Sequence, residues 1–220
     1  MSPRQALRFL HDRLLGTAFD RAVARAHRTG SHRFLLGWNR GLGDVGLGLT
    51  PFLERLRREF ADARLEAITR ADLEPVFRLA GADAVHVVPG LARGQPLDVP
   101  TRAKALGLDL AAFGAVLAQP DPRRWSRTVP DDIAPRLHWD GRHDALAARF
   151  EEVAPGVPWV VVHAHSGTSG FYRYTKDWPA ERWPQLFAHV RERLPARFLL
   201  VGEAGGPAIA GDGVVDLRGR

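Results

Sequence analysis

Apolar positions along this chain repeat first with the period of a helix and then in short blocks of strand length. From 4 to 28, Leu7, Leu10, Leu14, Ala18, Ala22 and Ala26 recur three or four residues apart, with Phe19 and Val23 beside them. Arg4, Arg8, Arg13, Arg21, Arg25 and Arg28 surround that stripe. The spacing predicts a helix with one apolar face. Phe34-Leu35-Leu36-Gly37-Trp38 then predicts a buried strand, broken at Asn39-Arg40-Gly41-Leu42-Gly43-Asp44. A helix is expected from about 45 to 60, with Leu49, Phe52, Leu53 and Leu56 on one face. A strand over 64–69, a helix over 72–79 and a strand over 84–88 follow.

Between 89 and 157, prolines at 89, 96, 100, 120, 122, 130 and 135 interrupt every pattern. Short helices fit at 101–107 and 142–152, with a weak strand near 112–118. Alternation resumes with a strand at 159–163, a loop over 164–178, a helix over 179–194, and strands at 197–201 and 214–217. Strands alternating with helices imply α/β architecture, with parallel sheets and right-handed crossovers. The expected division is an N-terminal amphipathic helix at 1–30, one unit at 31–152 and a second at 158–220, with a linker at 153–157.

Composition narrows the chemistry. Cysteine is absent, which excludes disulfides and thiolate nucleophiles. No run approaches the roughly 20 apolar residues of a membrane span, and the first 30 residues lack the apolar core of a signal peptide. A cytoplasmic protein is expected. The formal charge is +6 and the pI about 10.8, carried almost wholly by arginine, since Lys104 and Lys176 are the lysines. Such a balance favours phosphates, acidic headgroups or nucleic acid, and it also fits a solvated arginine-coated surface. The basic N-terminal helix reads as packed on its domain, with peripheral contact to an anionic membrane left open.

Two loops carry the strongest chemical signals. In the first, two glycines follow a strand and Asp44 stands where a helix begins. Glycines there let a ligand approach the backbone, and a helix start suits phosphate. Asp44 fits a helix N-cap, and it equally fits a general base at the mouth of a cleft. The spacing matches neither G-x-G-x-x-G nor a P-loop. In the second loop, His163-Ala164-His165-Ser166-Gly167-Thr168 and then Lys176-Asp177-Trp178-Pro179 follow a strand. Hydroxyls, glycines and a lysine there suit a diphosphate, at the sheet edge where ligands usually bind. Glu203 follows the next strand and fits a contact to a ribose or base.

Other chemistries fare worse. No third histidine or carboxylate sits at ligand spacing, so no metal is expected. No Gly-x-Ser-x-Gly elbow is present. Trp125, Trp139, Trp159, Trp178 and Trp183 could stack on bases, but no RNA-binding motif accompanies them, so aromatic packing is the expectation and nucleic acid is not an expected partner.

Taken in order, the two loops resemble those of glycosyltransferase family 9, the lipopolysaccharide heptosyltransferases. The resemblance rests on Arg40-Gly41-Leu42-Gly43-Asp44 with Leu49 and Pro51, then Lys176-Asp177-Trp178-Pro179 with Trp183 and Leu186, then Gly202-Glu203 and Val214-x-Asp-Leu-x-Gly219. It covers about 33 to 220. It implies a GT-B-like fold of two Rossmann-like parallel-sheet domains, an acceptor domain and a nucleotide-sugar domain. It also implies inverting transfer of a heptose or related sugar from an ADP-sugar to a lipopolysaccharide core acceptor, with the ADP-sugar as co-substrate and no further cofactor. Asp44 would be the catalytic base, with Arg40, Gly41 and Gly43 forming the acceptor or phosphate loop. His165, Ser166, Gly167, Thr168, Lys176 and Glu203 would bind the donor. The family's later Asp-x-Gly-x-x-His stretch is not reached before Arg220, so the second domain is expected to be incomplete here. A non-catalytic nucleotide- or anion-binding relative, or an inactive fragment, is the alternative.

Overall fold

The computed structural model describes residues 14, 16–120, 132–150, 153, 156–165 and 177–220. They form two compact units, divided between Asp140 and Gly141.

The first unit opens with α1 (Ala18–Thr29). Of the helix expected over 4–28, residues 4–13 lie outside the described residues; the rest is not continuous, because Gly16 takes a left-handed φ of 72° and Thr17 caps the start of α1. Thr17 and Asp20 form a capping box, in which the Asp20 amide donates to Thr17 Oγ1 and the Thr17 amide to Asp20 Oδ2. Gly30 closes the helix at φ 64°. Phe19, Ala22, Val23 and Ala26 are buried in the domain core, whereas Leu14 and Ala18 are exposed. The apolar face of α1 is therefore occupied by its own domain.

Four parallel strands follow: β1 (Arg33–Gly37), β2 (Arg64–Thr69), β3 (Ala84–Val87) and β4 (Ala115–Ala118), in the order β3-β2-β1-β4. Phe34 and Leu36 of β1 face one core together with Leu65, Ala67, Ala115 and Leu117, while Leu35 and Ile68 face the other. Both faces are buried, which is why these strands read as nearly continuous apolar runs. On the first face lie α1, α2 (Thr50–Glu59) and α3 (Glu74–Leu79), which contribute Phe19, Phe52, Leu53, Leu56 and Phe77. On the second lies α4 (Val99–Ala105), with Val99 and Ala103. The chain thus winds outward from β1 over one face and returns over the other to place β4 beside β1. That reversal of strand order falls between β1 and β4, and the carboxyl ends of strands at such a point are where ligands bind in doubly wound folds.

A buried-edge ion pair gives this sheet a pH dependence. Glu66 on β2 accepts from Arg33 at 2.6 Å and pairs with His86 at 2.8 Å. Burial pushes its carboxyl up, but the Arg33 and His86 hydrogen bonds outweigh it and hold it below the ordinary 4.5. A depressed carboxyl contributes stability above its unfolded pKa and loses it as pH falls through the folded value. Glu66→Gln is therefore expected to melt a few degrees lower at neutral pH, with the gap to wild type closing as pH drops below about 4.5. Melting curves between pH 7 and 3 test this; a gap that persists at pH 3 would refute it.

The second unit holds α5 (Gly141–Ala147), β5 (Trp159–Val162), α6 (Trp183–Arg191), β6 (Arg197–Leu200) and β7 (Val214–Asp216). Its sheet is parallel, in the order β5-β6-β7. Val162, Phe198 and Leu200 pack against Phe187 of α6, and Phe187 stacks on Phe198 at 4.2 Å. Trp178 and Trp183 meet edge to face at 5.3 Å, yet Trp178 and Trp139 are exposed, so buried packing does not account for every tryptophan, and Trp125 lies outside the described residues.

Candidate active site

β1 delivers the chain to the point where strand order reverses, and a sharp exit follows. Gly37 ends the strand against α4, where a Cβ would stand 2.2 Å from Val99 Cγ2. Trp38 is fully buried, and its indole Nε1 donates to the Gly41 carbonyl at 3.3 Å. Its own carbonyl accepts from the buried Thr69 hydroxyl at 2.7 Å. Arg40 is exposed, and its guanidinium lies over the Trp38 ring at 5.7 Å.

Asp44 is exposed in the first turn of the helix that follows, where amide dipoles favour an anion. It does not act as the N-cap, because the helix begins ahead of it and its side chain makes no hydrogen bond or ion pair among the described residues. Its carboxylate lies over Gly41, where a Cβ would come within 2.9 Å of Oδ2. Glycine at 41 is what admits it. Asp44–Leu49 winds as a π-helix before α2 continues, and such widened turns often occur at functional sites. Leu42 and Leu47 stand exposed nearby in sequence. Arg40 and Gly41 thus lie in the loop at the carboxyl end of β1, and Gly43 and Asp44 in the first turn of the helix it enters.

Three residues of this site are not singled out by sequence pattern. Asn39 is 1% and Arg70 6% exposed, and both hold the loop by hydrogen bonds. Gln119 follows β4 at φ 44°, where a non-glycine residue is strained, and its amide donates to the Gly37 carbonyl at 2.8 Å. An asparagine in a strand-ending turn was the one available signal; long-range partners such as Arg70 leave no local trace.

In the second unit, His165 and Glu203 lie beyond the carboxyl ends of the neighbouring strands β5 and β6. His165 Nδ1 pairs with Asp177 Oδ2 at 2.6 Å. The turn at 202–206 sits close against both histidines. A Cβ on Gly202, at φ 131°, would come 3.0 Å from the His163 ring, and one on Gly206 would come 3.1 Å from His165 Cβ. Arg218 grips Asp216 through Nε and Nη2 and donates from Nη1 to the Pro207 carbonyl at 2.9 Å. The Arg218 hydrogen bond holds the Asp216 carboxyl below its usual range. Glu203 is exposed. Ser166, Gly167, Thr168 and Lys176 lie outside the described residues. Among the described residues, no three His, Asp or Glu side chains are grouped to hold a metal ion, and no helix is long and apolar enough to cross a membrane.

The architecture is that of an α/β protein with two parallel-sheet, Rossmann-like units. Among solved structures, the chain is similar to the crystal structure of a family 9 glycosyl transferase from Veillonella parvula, with a TM-score of 0.53 and 19% identity over 82% of this chain and 70% of that one. It is also similar to Escherichia coli ADP-heptose lps heptosyltransferase II, with a TM-score of 0.49 and 12% identity over 78% of this chain and 65% of that one. No family model matches the sequence, and no curated protein matches it. The chain therefore has the fold of the family 9 glycosyl transferase.

Proposed function

We propose that this chain is a member of glycosyltransferase family 9 and transfers a heptose or related sugar from an ADP-sugar to a lipopolysaccharide core acceptor, with inversion. The observation that carries this reading is Asp44, an exposed carboxylate seated over Gly41 in the first turn of a helix at the carboxyl end of β1. Asp44 takes the proton of the acceptor hydroxyl as that oxygen attacks the anomeric carbon. The bond from that carbon to the diphosphate breaks in the same displacement, and ADP leaves with the electron pair. Arg40 is placed to meet anionic groups of the acceptor. In the second unit, His165, Ser166, Gly167, Thr168 and Lys176 hold the departing diphosphate, the main electrostatic task of such a site. Glu203 contacts the nucleoside. The excess of arginine suits both the nucleotide and an anionic acceptor at the cytoplasmic membrane face.

The test is transfer from ADP-heptose to a core-truncated lipopolysaccharide, followed by mass spectrometry of the acceptor. A mass increase of one heptose supports the reading; ADP binding with no turnover of any ADP-sugar would instead identify a non-catalytic relative. Within this reading Lys176→Ala is expected to weaken ADP binding roughly tenfold to a hundredfold, the loss of one charge-assisted contact of about 1.5–3 kcal/mol. Calorimetric titration with ADP checks it, and an unchanged affinity removes Lys176 from the diphosphate site.

A further inference from the structure

We propose that Arg70 is the residue that positions Asp44, acting through the backbone of the loop between them; this rests on the reading of Asp44 as the base. The loop from Asn39 to Gly41 leads into the helix whose first turn bears Asp44, and Gly41 holds no conformation by itself. Its geometry has to be imposed from outside, and the contacts converge on Arg70 at the end of β2. Arg70 Nη1 donates to Asn39 Oδ1 at 3.0 Å and to the Arg40 carbonyl at 2.9 Å. Its Nε meets Asp72 Oδ1 at 2.6 Å.

Asn39 extends the brace to the far side. Its Nδ2 donates to the carbonyls of Ala92 at 2.9 Å and Gln95 at 2.8 Å, in the segment between β3 and α4. One guanidinium thus ties the loop's side chain and main chain to β2, and through Asn39 to the turn after β3. The group is nearly fully buried, where a charge is costly unless every contact is made. Asp72, most of which is exposed, anchors the outer edge of the guanidinium and leaves the inner edge for the loop. Lysine cannot reproduce this, because a single ammonium lacks the planar fork that reaches Asn39, Arg40 and Asp72 together. Asp44 lies four residues beyond the fixed Arg40 carbonyl, so loosening that point displaces the carboxylate from the acceptor hydroxyl.

The experiment compares wild type with Arg70→Lys, Arg70→Met and Asp44→Asn in the full chain. Three quantities are read: kcat and donor KM with ADP-heptose and core-truncated lipopolysaccharide, amide hydrogen exchange, and the melting curve. A displacement of about 1 Å costs on the order of 100-fold in rate. Arg70→Lys is therefore expected to lose about that factor in kcat with donor KM unmoved. The Trp38 indole Nε1 hydrogen, which the Gly41 carbonyl of this loop accepts, exchanges faster, by roughly tenfold or more, while the amides of β1 to β4 keep their protection. Full kcat in Arg70→Lys overturns the proposal, as does faster exchange spread through the whole sheet, which marks a merely structural role. If Asp44→Asn stays fully active, the base reading fails and the catalytic meaning of Arg70 with it. If Asp44→Asn is inactive while Arg70→Lys is unimpaired, the Arg70 assignment falls alone.

Discussion

Replacing Asp44 with asparagine is expected to slow sugar transfer by about 10²–10⁴-fold, the range a general base contributes, and to leave ADP binding nearly unchanged. Asparagine has the same shape but cannot take a proton at neutral pH, so the acceptor oxygen attacks as a neutral hydroxyl. The substitution is clean for a structural reason. The Asp44 side chain is exposed and makes no hydrogen bond or ion pair among the described residues, so its removal disturbs no internal partner. A melting temperature within a degree or two of wild type should accompany the loss, since surface changes are usually within about 0.5 kcal/mol. Single-turnover transfer from ADP-heptose, with ADP titration and a melting curve in parallel, separates chemistry from binding and folding. Full activity in Asp44→Asn would falsify the assignment of the base.

Truncation of Trp38 should produce the largest loss of stability. The side chain is fully buried, joins the core on the first face of the sheet, and sends its Nε1 hydrogen to the Gly41 carbonyl. Trp38→Ala removes the largest side chain in that core and leaves a cavity that the sheet beside it cannot collapse to fill. The expected cost is about 3–5 kcal/mol, or a fall in Tm of roughly 6–20 °C for a chain of this size. Trp38→Phe should recover most of that loss but not the hydrogen bond, which contributes about 1 kcal/mol. Thermal unfolding followed by circular dichroism checks both variants. A cost below about 1 kcal/mol for the alanine would mean that Trp38 is not packed as described.

The same residue illustrates what local sequence can disclose. The run Phe34 to Trp38 predicts a strand buried on both faces, and β1 is one, because a sheet covered on both sides needs apolar residues at every position. The amphipathic face at Leu49, Phe52, Leu53 and Leu56 likewise predicts the helix that packs on it, and all four are buried. The helix expected over 4–28 is broken at Gly16 and Thr17. Apolar spacing does not register a break of this kind, because it counts residues and not backbone conformation. The short capping signal from Thr17 to Asp20 outweighed it.

At the candidate site, strand-loop-helix order locates Arg40, Gly41, Gly43 and Asp44, since all of them lie within one turn of chain. The sequence alone left Asp44 open between cap and base; the structure places the helix start ahead of it and its carboxylate over Gly41. Asn39 and Arg70 stand 31 residues apart and meet only because β1 and β2 pair side by side. Gln119 meets the Gly37 carbonyl only because β4 returns to the far side of β1. The π-helical turn over Asp44–Leu49 has no periodic trace at all. Hydrophobic period and turn residues are local properties, so the chain by itself determined most of its strands and helices, its two-sided sheet and the turn that bears Asp44. Which side chains brace that loop depends on strand order and on contacts between distant segments, and only the tertiary structure decided them.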